Sequence, residues 1–450
     1  MANPNDFAPV PVINNLLFDL QPGTTFTTEI SVNGKLTGSD TFVVTHDTKV
    51  IDGVTCVVVK DTAFDEDGAV VEKTLDYFAQ DKKGNVWYFG EDTKQIENGH
   101  VVGTEGTWRA GPGGPTPGAE AGIIMEVIPA PGDTYAQENA PGVAQDMATV
   151  LSLTAPGNVP YGSFGNHALE TFEFSLLDDP GTGENKLYIE GVGFVKAVDV
   201  VTGETEQLVQ IKVDGTSHGD KLYGYAGGDE VNGNGGNDHL DGWLGADKIN
   251  GGSGNDLIEG GGKMRFDGGD DHAADSLSGG YGNDTIVAGA GDHAFGGSGN
   301  DLINLLDISG LGFVDGGSQQ GHDLARTSGD VLHFDGSLDL ADPSKIAGIE
   351  TLSMKDESGN DSLTLNAPDV LDLGSGTFNP CFSGHDAFGK GDAVRVDGDK
   401  GDTLSLSGDW TQIDPKNAPD DYNVFACHTS TGNAYVLVQE DVVATIAATV

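Results

Sequence analysis

The chain has 450 residues, with 71 Asp+Glu against 22 Lys+Arg and a formal charge of −49. Such an excess of carboxylate excludes docking on nucleic acid or anionic lipid, both of which are bound by clustered Lys and Arg, and favours cations as partners. No apolar run reaches the roughly 18 residues of a membrane-spanning helix. The three scattered cysteines, Cys56, Cys381 and Cys427, make neither a disulfide framework nor a zinc spacing, so idle or buried thiols are expected.

Residues 1–215 read as an antiparallel β domain. Thr27–Val32 runs into Asn33-Gly34, a hairpin signal, and Thr41–Thr45 and Val54–Val59 are β-branched runs. Leu75–Gln80 and Asn85–Phe89 flank a Lys-Lys-Gly turn, and further strands are expected at 169–176, 186–189 and 207–213. Pro141–Leu153 is expected as a short helix. The sheet is expected to curl into a partial barrel. Asp76, Glu91, Asp92, Glu105, Glu126 and Glu138 offer candidate acid/base carboxylates, but sequence gives no geometry to choose among them. A carboxylate-lined cleft around Trp87 and Trp108 would favour an enzyme; a filled barrel would favour binding or scaffolding.

From residue 216 the composition changes. Residues 216–304 hold 25 Gly, 13 Asp and 2 Glu against 4 Lys+Arg. Asp220, Asp229, Asp238, Asp247 and Asp256 stand nine residues apart, each followed two residues later by an apolar residue: Leu222, Val231, Leu240, Ile249 and Ile258. The unit is most complete in Gly251-Gly252-Ser-Gly254-Asn-Asp256, Gly279-Gly280-Tyr-Gly282-Asn-Asp284 and Gly296-Gly297-Ser-Gly299-Asn-Asp301; Gly233 and Gly236 hold equivalent places earlier. A Gly-rich turn exposes its carbonyls, and the short strand after it buries one side chain, so single units are unstable and must stack. With two repeats per coil turn, every second Asp lies one strand spacing away, roughly 4.8 Å. Carboxylates and carbonyls at that separation form an all-oxygen cage suited to Ca²⁺.

The expected carboxylate pairs are 220/238, 229/247, 238/256, 256/275 and 284/301. The pairs 247/265 and 275/292 are expected to be impaired, because Arg265 takes an Asp place and the unit at 288–295 is one residue short. Asp275 and Asp323 belong to longer units, with Asp seven residues after the first Gly. Gly215-Thr-Ser217-His-Gly219 spells a nucleophile-elbow pattern, but it opens a glycine repeat rather than joining a strand to a helix. Beyond Leu305, β-like runs return at 346–354, 362–373, 403–406, 422–426 and 435–439.

These units resemble the RTX nonapeptide of secreted bacterial proteins, which implies a parallel β-roll holding several Ca²⁺ ions between its turns. The resemblance is close over 216–304 and looser to 330. Gly348–Leu352, Ser362–Leu373 and Asp402–Trp410 resemble the region that follows such repeats in type I-secreted proteins, implying an uncleaved C-terminal export signal. The N-terminus, Met1-Ala-Asn-Pro-Asn-Asp6, lacks the features of a Sec signal, as that route expects. Tyr77–Glu91 resembles a domain of uncharacterised bacterial secreted proteins and lipoproteins.

The expectation is an all-β protein: an antiparallel β domain at 1–215, a β-roll at 216–330 and a β-rich C-terminal region at 331–450. Its partners would be calcium, a type I secretion apparatus and an extracellular polymer or cell-surface ligand, with no nucleic acid and no membrane span. The alternative is a polymer-acting hydrolase or lyase with its site in residues 1–215.

Overall fold

The computed structural model describes residues 2–262, 264–265, 268–307, 312–317, 330–340, 345–356, 361–373, 377–378 and 390–447. They form two compact units: Met1–Val213 with Tyr225–Gly228, and Asp214–Gly224 with Asp229–Val450. Both are built almost wholly of strands, and the protein is all-β.

In the first unit the hairpin turns follow from local chemistry. Asn33-Gly34, Asp52-Gly53 and Asn98-Gly99 all have positive φ at both residues, the geometry that a two-residue turn needs to match strand twist. Thr24–Val32, Lys35–Ile51, Val54–Asp65, Val70–Gln80 and Val86–Glu97 therefore pair in sequence as an antiparallel meander. The sheet continues through Glu120–Met125, the broken strand Thr134–Ala136/Glu138–Asn139, and Asp146–Ala155. Ala168–Ser175, Glu184–Ile189, Gly193–Asp199 and Thr205–Asp214 follow. Thr205–Asp214 then pairs with Thr24–Val32, Val213 opposite Thr24 and Thr205 opposite Ser31.

The ring closes. The expected partial barrel is a full one, and closure removes the exposed edges that an open sheet would carry. The expected helix at 141–153 is also corrected. Gly142 turns the chain at φ +73°, and Asp146–Ala155 is a strand with Ala148 and Val150 buried and Leu151 and Leu153 exposed. Its β-branched Thr149, Val150 and Thr154 suit a half-buried strand. Cys56 is a buried thiol of this unit, and Cys427 of the second; Cys381 lies outside the described residues.

The second unit is a coil of parallel strands. One sheet stacks Lys221–Tyr223, His239–Asp241, Leu257–Glu259, Thr285–Ala288, Leu302–Leu305, Val331–Phe334 and Thr351–Met354. A second stacks Glu230–Asn232, Lys248–Ser253, Ser276–Tyr281, His293–Ser298, Val314–Gly317 and Ile346–Ala347. Each short strand sends one side chain inward, so Leu222, Leu240, Ile258, Ile286, Ile303, Leu332 and Leu352 form one buried column in register. Val231, Ile249, Leu277, Ala294, Val314 and Ile346 form the facing one.

The ladder runs past residue 330 without a break. It continues into Gly391–Gly398 and Asn433–Gln439, while Ser337–Asp339, Ser362–Asn366, Thr403–Ser407 and Val443–Ala447 stack as a third parallel sheet. The strand expected over 362–373 ends at Asn366. There Asn366 and Asp369 exchange hydrogen bonds, each backbone N–H donating to the other's side chain at 2.6 and 3.0 Å, and helix Ala367–Leu373 begins. Among the described residues no helix is long and apolar enough to cross a membrane.

Candidate metal centres

Each Asp of the roll closes a glycine turn and opens a strand. Its backbone N–H donates to the Asp one coil turn later. Asp220 donates to Asp238 Oδ1 at 2.7 Å, Asp238 to Asp256, Asp256 to Asp284, and Asp284 to Asp301, each at 2.8 Å. Asp301 donates to Asp330 Oδ1 at 2.8 Å, and Asp330 to Glu350 Oε2 at 2.7 Å, completing one column. On the other edge Asp229 donates to Asp247 and Asp247 to Asp275, each at 2.8 Å, and Asp275 to Asp292 at 2.9 Å.

One oxygen of each carboxylate is thereby committed to the backbone. The other folds back over the turn's own first glycine: a Cβ built on Gly251 would lie 2.6 Å from the Gly279 carbonyl oxygen and closer still to Asp256 Oδ2. Gly233, Gly279 and Gly296 occupy the same place over Asp238, Asp284 and Asp301. Gly252, Gly280 and Gly297 follow at φ +99°, +107° and +105°. The third glycines, Gly236, Gly254, Gly282 and Gly299, stack one over another. At Gly254, φ is +130° and any Cβ would enter the Gly236 carbonyl, so no other residue fits.

The outcome is a row of buried carboxylate oxygens facing carbonyls. Asp238, Asp247, Asp256, Asp284 and Asp301 are 1–3 % exposed, and the Oδ2 atom of each meets no hydrogen-bond donor among the described residues. Burial pushes Asp284 and Asp301 up to about 6 and Asp275 to about 8, each against a backbone hydrogen bond that pulls the other way. Asp247 reaches about 11, through burial first and the Asp229 charge second. A buried anionic oxygen without a donor is costly, and a cation is what satisfies it. The donor set is entirely oxygen and adaptable in number, which fits Ca²⁺ and not the softer metals.

The register differs from the sequence reading in the middle of the roll. Asp256 faces Asp284 and not Asp275; Asp275 instead stands between Asp247 and Asp292, so the pair 275/292 is formed. The physical reason is a detour. Lys248–Ser253 pairs directly with Ser276–Tyr281, a step of 28 residues in place of 18, and the additional segment leaves the ladder. Arg265 rides on that segment outside the Asp column, its guanidinium 3.8 Å from the Tyr223 ring centroid and 4.5 Å from that of Trp243. Asp323 lies outside the described residues; the place after Asp301 is taken by Asp330.

Asp292, expected as an impaired partner, completes one column. Asp330 and Glu350, which complete the other, escaped the sequence reading, as did an amide ladder beside it. Asn255 N–H donates to Asn237 Oδ1, Asn283 to Asn255, and Asn300 to Asn283, each at 2.8 Å. The recurring Asn-Asp dipeptide was the available signal. Farther on, Asp335, Asp356 and Asp361 bring one oxygen each within 4.8 Å of one another.

In the first unit, Trp108 is fully buried and meets Tyr88 edge-on at 5.5 Å, and Trp87 Nε1 donates to Asp81 at 3.0 Å. The pair builds barrel wall and not an open aromatic cleft.

A stacked parallel coil with glycine turns and buried Asp columns defines a repeat protein built around hard cations. Residues 214–249, 244–262 and 273–303 match the RTX calcium-binding nonapeptide repeat (4 copies), and the gap in the match is the segment that leaves the ladder. The roll carries RTX calcium-binding nonapeptide repeats. No curated protein matches it. Two solved structures are distantly similar. One, from Bacteroides fragilis NCTC 9343, is described as exported with a YmcC-like fold: 15% identity, 44% of this chain and 99% of that one, TM-score 0.28. The other, from Parabacteroides distasonis ATCC 8503, is described as a lipoprotein: 12% identity, 44% and 98%, TM-score 0.23. Likenesses this low carry no argument.

Proposed function

We propose that this is an exported calcium-binding protein whose roll folds when Ca²⁺ enters its Asp columns. The observation that carries the reading is the row of buried Oδ2 atoms without donors on Asp238, Asp247, Asp256, Asp284 and Asp301. The ions would lie along both edges of the roll, held by consecutive carboxylates and by the turn carbonyls. One column would use Asp220, Asp238, Asp256, Asp284 and Asp301, and the other Asp229, Asp247 and Asp275. Residues 216–304 carry 4 basic against 15 acidic side chains, so without counter-ions repulsion and chain entropy oppose the coil. Because only the folded coil holds the cages, binding energy becomes folding energy.

The test is a calcium titration of the full chain followed by circular dichroism and small-angle scattering. EGTA should unfold the roll while the barrel's β signal persists, and millimolar Ca²⁺ should restore a compact chain with several ions bound. A roll equally ordered in EGTA overturns the reading.

Export through a type I apparatus follows the same chemistry. Extracellular-type sites bind at roughly 10⁻⁴–10⁻³ M, so the roll stays open where Ca²⁺ is scarce and closes outside. The region after the matched calcium-binding repeats, with Gly348–Leu352 and Asp402–Trp410, is the candidate export signal. Deleting residues 403–450 should retain the protein in the cytosol of a host carrying the apparatus. Undiminished secretion of that truncation overturns the export route and leaves the calcium reading intact. Outside the cell the role proposed is structural or adhesive, toward an extracellular polymer or cell surface.

A further inference from the structure

The barrel holds a pocket of about 340 Å³ that opens to solvent, within the size range of small-molecule sites. Its walls come from alternate residues of successive strands, Phe26 and Thr28, Asp40 and Phe42, Asp76 and Phe78, Lys186 and Tyr188, which is the inward face of a closed sheet. Seven carboxylates reach it, among them Asp40, Asp61, Asp76, Glu91, Glu173 and Glu206. Lys186 is the single basic residue of the lining.

The charges are not evenly matched. Lys186 Nζ lies 3.2 Å from Glu173 Oε2 and 3.5 Å from Glu184 Oε2, and Glu173 Oε1 also accepts from Tyr188 and Thr171. Glu206 accepts from Thr28 Oγ1 at 2.7 Å. That side of the cavity is satisfied. On the other side, the Tyr88 hydroxyl is 2.6 Å from Asp76 Oδ1 and 3.2 Å from Glu91 Oε2, and it has one proton to donate. Asp76 is 5 % exposed, and its Oδ2 accepts no hydrogen bond among the described residues. Asp40 Oδ1 is likewise buried, and the partner beside Asp40 is the Asp61 carboxyl, which burial and the hydrogen bond to Asp40 push up to about 10.

Much of the rest of the wall is aromatic, with Leu20, Ile124 and Val192 beside the rings. Phe78 stacks on Tyr88 at 4.8 Å, Phe42 stands 6.2 Å from both Phe78 and Phe26, and Phe18 lies 5.3 Å from Phe78. Calcium needs six to eight oxygens around one point, and rings supply none. Ring faces do suit an ammonium group and the apolar body attached to it.

We propose that the barrel cavity binds a small organic ammonium compound, its charged nitrogen held by Asp76, Glu91 and the Asp40–Asp61 side and its apolar body against Phe26, Phe42 and Phe78. This site is independent of the calcium columns. Burial holds Asp76 at about 8 and Glu91 at about 7, so an ammonium group entering between them displaces protons from these carboxyls.

The experiment is calorimetry on the full-length protein, in EGTA and in Ca²⁺, with tyramine, 2-phenylethylamine and 1,5-diaminopentane as cationic probes and 4-ethylphenol as the uncharged counterpart of tyramine. At least one amine should bind one-to-one in both conditions, with 4-ethylphenol weaker than tyramine by about tenfold or more, since a desolvated charge pair is lost. Asp76→Asn and Glu91→Gln should each weaken amine binding by about tenfold or more, with near-UV circular dichroism unchanged; exposed Asp47→Asn should not. If a cavity variant fails to fold, the tyramine/4-ethylphenol ratio on the wild-type chain decides. No binding by any amine at millimolar concentration, equal binding of 4-ethylphenol, or displacement of the amine by Ca²⁺ overturns the proposal.

Discussion

An Asp in the roll uses its two oxygens differently, and its position along the column sets what its loss does. Asp238 Oδ1 accepts the Asp220 N–H while its own N–H donates to Asp256, so it joins two proposed cages. Asp220 is at the start of the column, and its Oδ2 already accepts from Thr216 N and Oγ1 at 2.6 and 2.8 Å. Asp238→Ala should therefore weaken Ca²⁺-induced folding cooperatively, raising the midpoint of the titration by about tenfold or more, whereas Asp220→Ala should fray only the first turn. Circular dichroism against free Ca²⁺ reads the difference; coincident curves for the two variants count against the column. The importance of Asp238 was legible in the nine-residue spacing alone, because a period of nine with two units per coil turn forces a partner eighteen residues away. The second oxygen's lack of a donor was not legible, since it depends on how the carboxylate folds over Gly233.

At the scale of elements, periodicity worked wherever the period was unbroken. From Asp220 to Asp256 the strands pair as the spacing requires. The detour after Glu259 defeated it, because a chain can rejoin a ladder at any later residue whose inward side chain fits, and Leu277 beside Ile249 does. Arg265 and Asp275 separate the two readings. Arg265→Ala should leave the number of bound ions unchanged while removing its contacts over Tyr223 and Trp243, worth about 1–2 kcal/mol. Asp275→Asn should lower affinity as much as Asp247→Asn, because Asp275 bridges Asp247 and Asp292. Equilibrium dialysis of the three variants checks both statements. The barrel was legible as strands and turns but not as a ring. Its closure rests on Thr24–Val32 meeting Thr205–Asp214, a pairing across the whole domain that no local signal announces. The strand at Asp146–Ala155 was misread for a related reason: its alternation is weak, and its partner, Ala168–Ser175, lies beyond a loop.

Across the whole molecule, the −49 charge is handled differently in the two units. The roll lines its buried carboxylates up in columns for a cation to neutralise. The barrel shuts several inside, where burial is the first cause of their raised proton affinity: Asp61 to about 10, Asp76 to about 8 and Glu91 to about 7, from ordinary values of 3.8, 3.8 and 4.5. Neighbouring carboxyls add to it. Asp40, Glu72 and Glu91 surround Asp76; Glu72 and Asp146 surround Glu91; Asp40, Asp76 and Glu206 surround Asp61. The Tyr88 hydrogen bond opposes the shift at Asp76 and Glu91. Because the folded values lie above the unfolded ones, the native barrel binds more protons than the unfolded chain at intermediate pH. The stability these groups contribute is therefore complete below about pH 4 and is lost as pH rises through 7, 8 and then 10. Denaturant titrations in EGTA, in a Trp243→Phe/Trp410→Phe background so that Trp87 and Trp108 report the barrel, should show stability falling between pH 6 and pH 9. Asp76→Asn should flatten that slope and raise stability at pH 8, because the buried charge is gone while the Tyr88 hydroxyl retains an acceptor. A barrel that gains stability over the same pH interval would mean that these carboxylates are ionised and compensated in the folded state.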